Sequence, residues 1–228
     1  MPIYTSQDFV TQNYVRNPNC WVADIDLTGI SPWNSLEAHR RAGTLVSLRH
    51  IVFAKHYQLT PGTQVAFVTA DNVTVTRTLG GVILPGGDMA IGILDADVPA
   101  ELGFHKVRPR NWADTLWQTH RAAMLHFDQE EKALVRDFSA IVESSQKVSH
   151  IAPIEPLRLS FSETIISGDS GNPAFFVMGG EAVLTLTHFT AKTGPFYTSW
   201  FDELNAAMTS LGGGYQLTEY DIGSFVQP

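Results

Sequence analysis

The stretch Ile165-Ile166-Ser167-Gly168-Asp169-Ser170-Gly171-Asn172-Pro173-Ala174-Phe175-Phe176-Val177 places one serine between two glycines, with apolar residues on both sides. The glycines admit positive φ and a close approach of the backbone to a ligand. Two N–H groups can then point into one hollow and form an anion-binding nest. Beside a serine hydroxyl, such a nest is an oxyanion hole. The β-favouring run after Pro173 reads as a strand. Ser170 is a weak nucleophile alone, so it requires a base, and the base requires an orienting group.

Eight histidines could supply the base: His39, His50, His56, His105, His120, His126, His150 and His188. His56 stands just past an apolar strand, Leu45 to Ala54, that is broken only by the bend Leu48-Arg49-His50. A rigid strand end is a good place from which to present a catalytic side chain. His50 is the nearest rival, but its place in the bend predicts solvation. Asp88 is the candidate orienting carboxylate. It follows Pro85-Gly86-Gly87 and opens the apolar strand Met89 to Leu94. An acid at the head of such a strand is costly unless paired, and an imidazole N–H is a suitable partner. Asp95 and Asp97 lie beyond that strand and read as turn residues.

The rest of the 228-residue chain reads as all-β with many turns. It has 18 glycines, 12 prolines, 44% hydrophobic and 17% charged residues. Strands are predicted at Trp21–Leu27, 43–47, Gln64–Val68, Asn72–Leu79, Val82–Leu84, Met89–Leu94, Ala122–Phe127, Leu157–Phe161, Ala174–Val177 and Ala182–Phe189, with a break at Gly80-Gly81. Ala133–Val142 pairs with Ala122–Phe127 or, from Leu134, Phe138 and Ile141, has helical spacing. Trp200–Leu211 reads as a helix ended by Gly212-Gly213-Gly214. Pro99 to Pro109 is the expected linker between two β units, residues 1–108 and 109–228. The charge of −8 argues against a nucleic-acid surface. No run reaches transmembrane length, so no membrane insertion is expected. The single Cys20 excludes an internal disulfide, and neither a metal nor another cofactor is expected. Met1 to Val10 does not read as a signal peptide.

The candidates come in the order His56, Asp88, Ser170, which is the chain order of chymotrypsin-type triads. Thr44-Leu45-Val46-Ser47-Leu48-Arg49-His50-Ile51-Val52-Phe53-Ala54-Lys55-His56 resembles that family's histidine segment. Asp88-Met89-Ala90-Ile91-Gly92-Ile93-Leu94 is similar to its aspartate segment, and Gly168-Asp169-Ser170-Gly171-Asn172-Pro173 to its Gly-Asp-Ser-Gly-Gly-Pro. The chain thus resembles the trypsin/chymotrypsin-like serine peptidases over about residues 30 to 200. The resemblance implies a double Greek-key β-barrel with a C-terminal helix and the site between the barrels. It implies that His56, Asp88 and Ser170 form the triad, that the N–H groups of Gly168 and Ser170 bind the oxyanion, and that the substrate is a protein or peptide.

Four departures accompany it. No Ile-Val-Gly-Gly-like activation site stands near Gly29 to Trp33, so Asp169 needs a partner other than a new N-terminus. The family's usual disulfides are absent, which resembles some bacterial and autotransporter branches. The resemblance implies a secreted or cell-envelope protein. Asn172 replaces a glycine, and Lys55 precedes His56 where a small residue is common. Thr164, six positions before Ser170, takes the place of the pocket-base aspartate of Arg/Lys-preferring members, with Glu163 one position off. Leu184 to Thr190, including Thr187, resembles the strand that pairs with substrate. His188 on it either lines the pocket and meets an acidic side chain, as in glutamate-preferring relatives, or faces solvent. A peptidase-fold binding module without turnover is the alternative. An α/β-hydrolase esterase would need Gly-x-Ser-x-Gly and the opposite residue order. No spacing singles out a glycosidase carboxylate pair.

Overall fold

The structure, a computed structural model, describes residues 1–8, 13–32, 41–110 and 122–222. His39 and His120 lie outside the described residues. The protein is mostly β, 41% strand and 13% helix, with curled sheets that include a half-barrel and a helix near the C-terminus. A short hairpin pairs β1 (Tyr4–Asp8) with β2 (Asn13–Arg16). The following five strands are β3 (Thr44–Leu45), β4 (His50–Ala54), β5 (Gln64–Val68), β6 (Thr74–Gly86) and β7 (Met89–Leu94). They form one antiparallel sheet in the order β3-β4-β7-β6-β5. The second sheet is built from β8 (Ala123–Phe127), β9 (Ala133–Val142), β10 (Lys147–Ile151), β11 (Pro173–Met178), β12 (Glu181–Thr187) and β13 (Thr193–Pro195). Its order is β12-β11-β8-β9-β10-β13. Among the described residues the α-helices are α1 (Pro156–Leu159) and α2 (Phe201–Leu211).

Each sheet curls around its own apolar filling. Leu45, Phe53, Leu59, Phe67, Leu79 and Leu94 pack inside the first, and Phe138, Val148, Phe176, Val183 and Leu186 inside the second. A third cluster joins the two: Val52, Met89 and Ile91 meet Phe127, Phe175 and Leu184, with Leu204 and Met208 of α2. Each such side chain contributes roughly 1.5–3 kcal/mol by leaving water. This shared cluster places the end of β4, the β6–β7 turn and the approach to β11 on the seam between the sheets.

Several expected elements differ. Trp21–Leu27 is a chain of turns rather than a strand: Ala23 N–H donates to Cys20 C=O and Ile25 N–H to Val22 C=O. The apolar alternation there reflects Val22 and Leu27 turning inward. Leu157–Phe161 is not a strand either. Pro156 starts α1, the Glu155 carboxylate accepts the Arg158 N–H at 3.0 Å, and Leu157 is 79% exposed. Gly80-Gly81 does not break the strand, because β6 runs through it with a register shift between Leu79 and Gly81. Of the two readings of Ala133–Val142, the strand is observed, paired on both sides. His50 is not solvated: it is fully buried, its Nδ1 2.9 Å from Ser47 Oγ and its ring edge-on to Tyr215.

Candidate active site

Three separate elements deliver the predicted side chains to one place. His56 lies in the 3-10 turn Lys55–Tyr57 that ends β4, and Asp88 lies in the turn between β6 and β7. Adjacent strands hold these turns together, since β4 and β7 pair along their whole length from Ala54↔Met89 to His50↔Ile93. The Asp88 C=O accepts the Lys55 N–H at 3.0 Å, and Asp88 Oδ1 accepts the His56 N–H at 3.0 Å. Asp88 Oδ2 lies 2.6 Å from His56 Nδ1. The carboxylate thus holds both the backbone and the ring of His56, with its side chain only 10% exposed against 39% for the histidine.

Ser170 arrives from the other sheet, in the turn before β11. Its Oγ is 2.8 Å from His56 Nε2, so the imidazole bridges Asp88 and Ser170. Gly168 has φ +107°, and a Cβ there would stand 2.2 Å from Gln129 Oε1. Gly171 has φ +86°, and its Cβ would press on the Ala54 N at 3.2 Å. Gly171 therefore lets the serine turn lie against β4, and Gly168 lets it lie against the turn between β8 and β9. The turn is also tied to the residue just past β12. Gly171 N–H donates to His188 C=O and His188 N–H to Asn172 C=O, each at 3.0 Å. Asp169 N–H donates to Ile166 C=O. Among the described residues, the N–H groups of Gly168 and Ser170 donate to no backbone carbonyl.

Asp169 has the partners its sequence position demanded. It is buried, and its carboxylate accepts the N–H groups of Gln129 at 2.9 Å and Ile166 at 2.7 Å. Burial pushes its pKa up, and these two amides counteract the rise. Backbone amides thus brace the turn without a free N-terminus. Lys55 is exposed, and Asn172 is buried.

A pocket of about 210 Å³ opens beside Ser170, lined by Ile165, Ile166, Ser167, His188, Phe189, Thr190 and Ala191. His188 is thus a pocket residue rather than a solvent-facing one. Two other expected pocket residues are elsewhere. Thr164 is exposed and outside the lining. Thr187 alternates inward, fully buried, its hydroxyl 3.3 Å from Tyr197 Oη. Phe189 packs edge-on to His56 with ring centres 5.5 Å apart, and Lys147 Nζ sits 4.6 Å from the Phe189 ring centre. A larger cavity of about 570 Å³ lies at the N-terminal hairpin, lined in part by Ile3, Arg16, Cys20 and Asn72, and holds no triad residue.

Behind His188 lies a group that the sequence reading left unassigned. The His188 ring meets His126 of β8 and His150 of β10, with centres 5.2 and 5.3 Å away. Arg136 of β9 donates from Nε to His150 Nδ1 at 3.2 Å. Burial and the neighbouring Arg136 charge lower the pKa of His126 and His150 to about 3, and that of His188 well below its ordinary value. Their signal in the sequence is faint: His126 and His150 are single buried histidines on β8 and β10, and His188 stands just past β12. Among the described residues, no group of three His, Cys, Asp or Glu side chains is placed to hold a metal ion, and no helix is long and apolar enough to cross a membrane.

These buried neutral histidines make stability pH-dependent. Unfolding returns each to an ordinary pKa near 6.5, so the unfolded chain binds more protons below that value. Stability is therefore expected to fall as pH drops from about 6.5 toward 3, by up to about 1.4 kcal/mol per pH unit for each proton. Denaturant melts of wild type and His126→Phe check this. The variant should show a shallower decline, and identical slopes would refute the assignment.

No protein-family model matches this chain, and no curated protein matches it.

Proposed function

We propose that this chain is a serine endopeptidase of the trypsin/chymotrypsin-like type. The observation that carries the reading is the His56 ring bridging Asp88 at 2.6 Å and Ser170 at 2.8 Å. In this reading the two curled sheets are the two Greek-key barrels of that fold, residues 1–108 contributing His56 and Asp88 and residues 109–228 contributing Ser170. The substrate is a protein or peptide, and the chemistry needs no cofactor.

Ser170 Oγ attacks the scissile carbonyl while His56 Nε2 takes its proton. The tetrahedral oxyanion is received by the N–H groups of Gly168 and Ser170. Asp88 Oδ2 fixes the tautomer with hydrogen on Nδ1 and stabilises the imidazolium as it forms. His56 then gives the proton to the leaving amine, which departs and leaves an acyl-Ser170 ester. Water, deprotonated by the same histidine, hydrolyses the ester. A missing oxyanion donor would cost roughly 3–4 kcal/mol of this stabilisation.

A fluorophosphonate probe followed by mass spectrometry tests the reading. A single adduct on Ser170, absent in Ser170→Ala, is the expected result. Folded protein that takes no label would instead favour a binding module built on the same scaffold.

A further inference from the structure

Asp88 holds both the backbone and the ring of His56, and the turn that carries it is itself held from the other sheet. Two glycines precede Asp88. Gly86 has φ +150° and Gly87 φ +54°, conformations that favour glycine. Both lie against the indole of Trp200. A Cβ on Gly86 would stand 2.2 Å from Trp200 Cζ3, and one on Gly87 3.4 Å from Cζ2. The β6–β7 ladder shifts register between Ile83 and Gly86, so regular pairing is interrupted just before Asp88.

Trp200 closes the 3-10 turn Tyr197–Trp200, immediately before α2. That turn is fastened to the second sheet. Phe196 N–H donates to Gln146 C=O at 2.9 Å, and Gln146 Nε2 donates to Ser199 C=O at 3.2 Å, with Gln146 standing just before β10. Tyr197 is fully buried, its hydroxyl 3.3 Å from Thr187 Oγ1 of β12. Burial raises the Tyr197 pKa and the Asp88 charge adds to the rise, so the hydroxyl is within electrostatic reach of that carboxylate. Beyond the turn, α2 follows β6: a Cβ on Gly81 would stand 3.3 Å from Leu211 Cδ2. Trp200 Nε1 is buried and, among the described residues, makes no hydrogen bond. The ring therefore meets the glycines by packing.

We propose that Trp200 is a positioning residue for the Asp88–His56 pair: its indole is the surface on which Gly86-Gly87 close, so the second sheet sets where Asp88 sits against His56. The inference rests on the serine-peptidase reading above and assigns a further residue to the same site. Asp88 reaches the His56 ring at 2.6 Å and the His56 N–H at 3.0 Å. A displacement of about 1 Å takes both past hydrogen-bonding length. Glycines offer no side chain of their own to resist it, and the indole fills the space a side chain would occupy. Trp200 is absent from the lining of the pocket beside Ser170, so its loss acts on the base and not on substrate contact.

The experiment compares wild type with Trp200→Ala, Trp200→Phe and Gly86→Ala by two readouts. One is kcat and KM on a peptide, per fluorophosphonate-reactive site. The other is the proton resonance of His56 Nδ1–H, which lies far downfield while that hydrogen makes a short bond to Asp88. In Trp200→Ala, kcat should fall between about 10- and 100-fold with KM within about twofold, and the resonance should move upfield. Trp200→Phe keeps a flat ring and gives up an N–H that bonds nothing, so kcat should stay within about threefold and the resonance in place. Gly86→Ala puts a methyl group where the indole lies, so it should reproduce the losses of Trp200→Ala although Trp200 is present. Circular dichroism checks folding, and if Trp200→Ala does not fold, Gly86→Ala decides. A kcat within about twofold of wild type, a loss confined to KM, or a lowered kcat with the resonance unmoved overturns the inference. If wild type meanwhile takes the label and cleaves peptide, only the role of Trp200 fails. Wild type that does neither overturns the peptidase reading instead, and the resonance, read without substrate, still decides whether Trp200 holds the pair.

Discussion

Ser170→Ala is expected to reduce peptide hydrolysis by about a millionfold while the protein melts within a few degrees of wild type. The chemical loss is large because Oγ forms the bond to the scissile carbonyl, and no neighbouring atom can replace it. Among the described residues, the other hydroxyls of the pocket lining, Ser167 and Thr190, make no hydrogen bond to His56, whose Nε2 is spent on Ser170 at 2.8 Å. The structural loss is small because the hydroxyl makes one hydrogen bond at a partly exposed position, and alanine fits the same backbone. The turn itself is held by the Asp169 carboxylate and the hydrogen bonds linking Gly171 and Asn172 to His188, all of which survive the substitution. His56→Ala should cost nearly as much as Ser170→Ala, and the double variant no more than either single one, because the groups act as a unit. The check is kcat on a peptide substrate beside a thermal melt. Losses that multiply in the double variant would mean that the two residues do not share one proton transfer.

The meeting of His56, Asp88 and Ser170 is legible because each sits at a place where local sequence already constrains the backbone. Gly168 and Gly171 flank Ser170, Gly86 and Gly87 precede Asp88, and an apolar strand leads to His56. The strands of the first sheet were legible for the same reason, being apolar runs closed by turn residues. What escaped notice depends on long-range contacts. β10 carries Lys147, Ser149 and His150 among its residues, and β13 is Thr193-Gly194-Pro195, with little intrinsic strand preference. Pairing with β9 and with each other makes them strands. The His126–His150–His188 cluster is invisible along the chain because its members come from β8, β10 and the residue just past β12. Thr187 adjoins His188 and so reads as a pocket residue, yet it is buried against Tyr197, because strand alternation sends neighbours to opposite faces. His50 differs in the other direction: a bend predicts exposure, and the packing of Tyr215 against its ring accompanies full burial.

Asp88→Asn is expected to lower kcat by about 10⁴-fold with little effect on substrate affinity. The reason lies in the two bonds that Asp88 makes. Its Oδ1 accepts the His56 N–H, and its Oδ2 faces Nδ1 of the ring. An asparagine has one acceptor and one donor. Keeping the backbone bond places its amide NH₂ against Nδ1, and that nitrogen must then be an acceptor. The ring proton moves to Nε2, which can no longer take the proton of Ser170. The opposite amide orientation would set its NH₂ against the His56 N–H, donor to donor, and lose the bond that fixes the ring. Either way the base is disabled although every side chain keeps its position. Nitrogen-15 spectra of the histidine rings give a readout separate from turnover, since the variant should carry the His56 proton on Nε2 and the wild type on Nδ1. Asp88→Asn that retains kcat within tenfold, or whose His56 keeps its proton on Nδ1, would show that the carboxylate does not set the tautomer, and the mechanism built on it would fall.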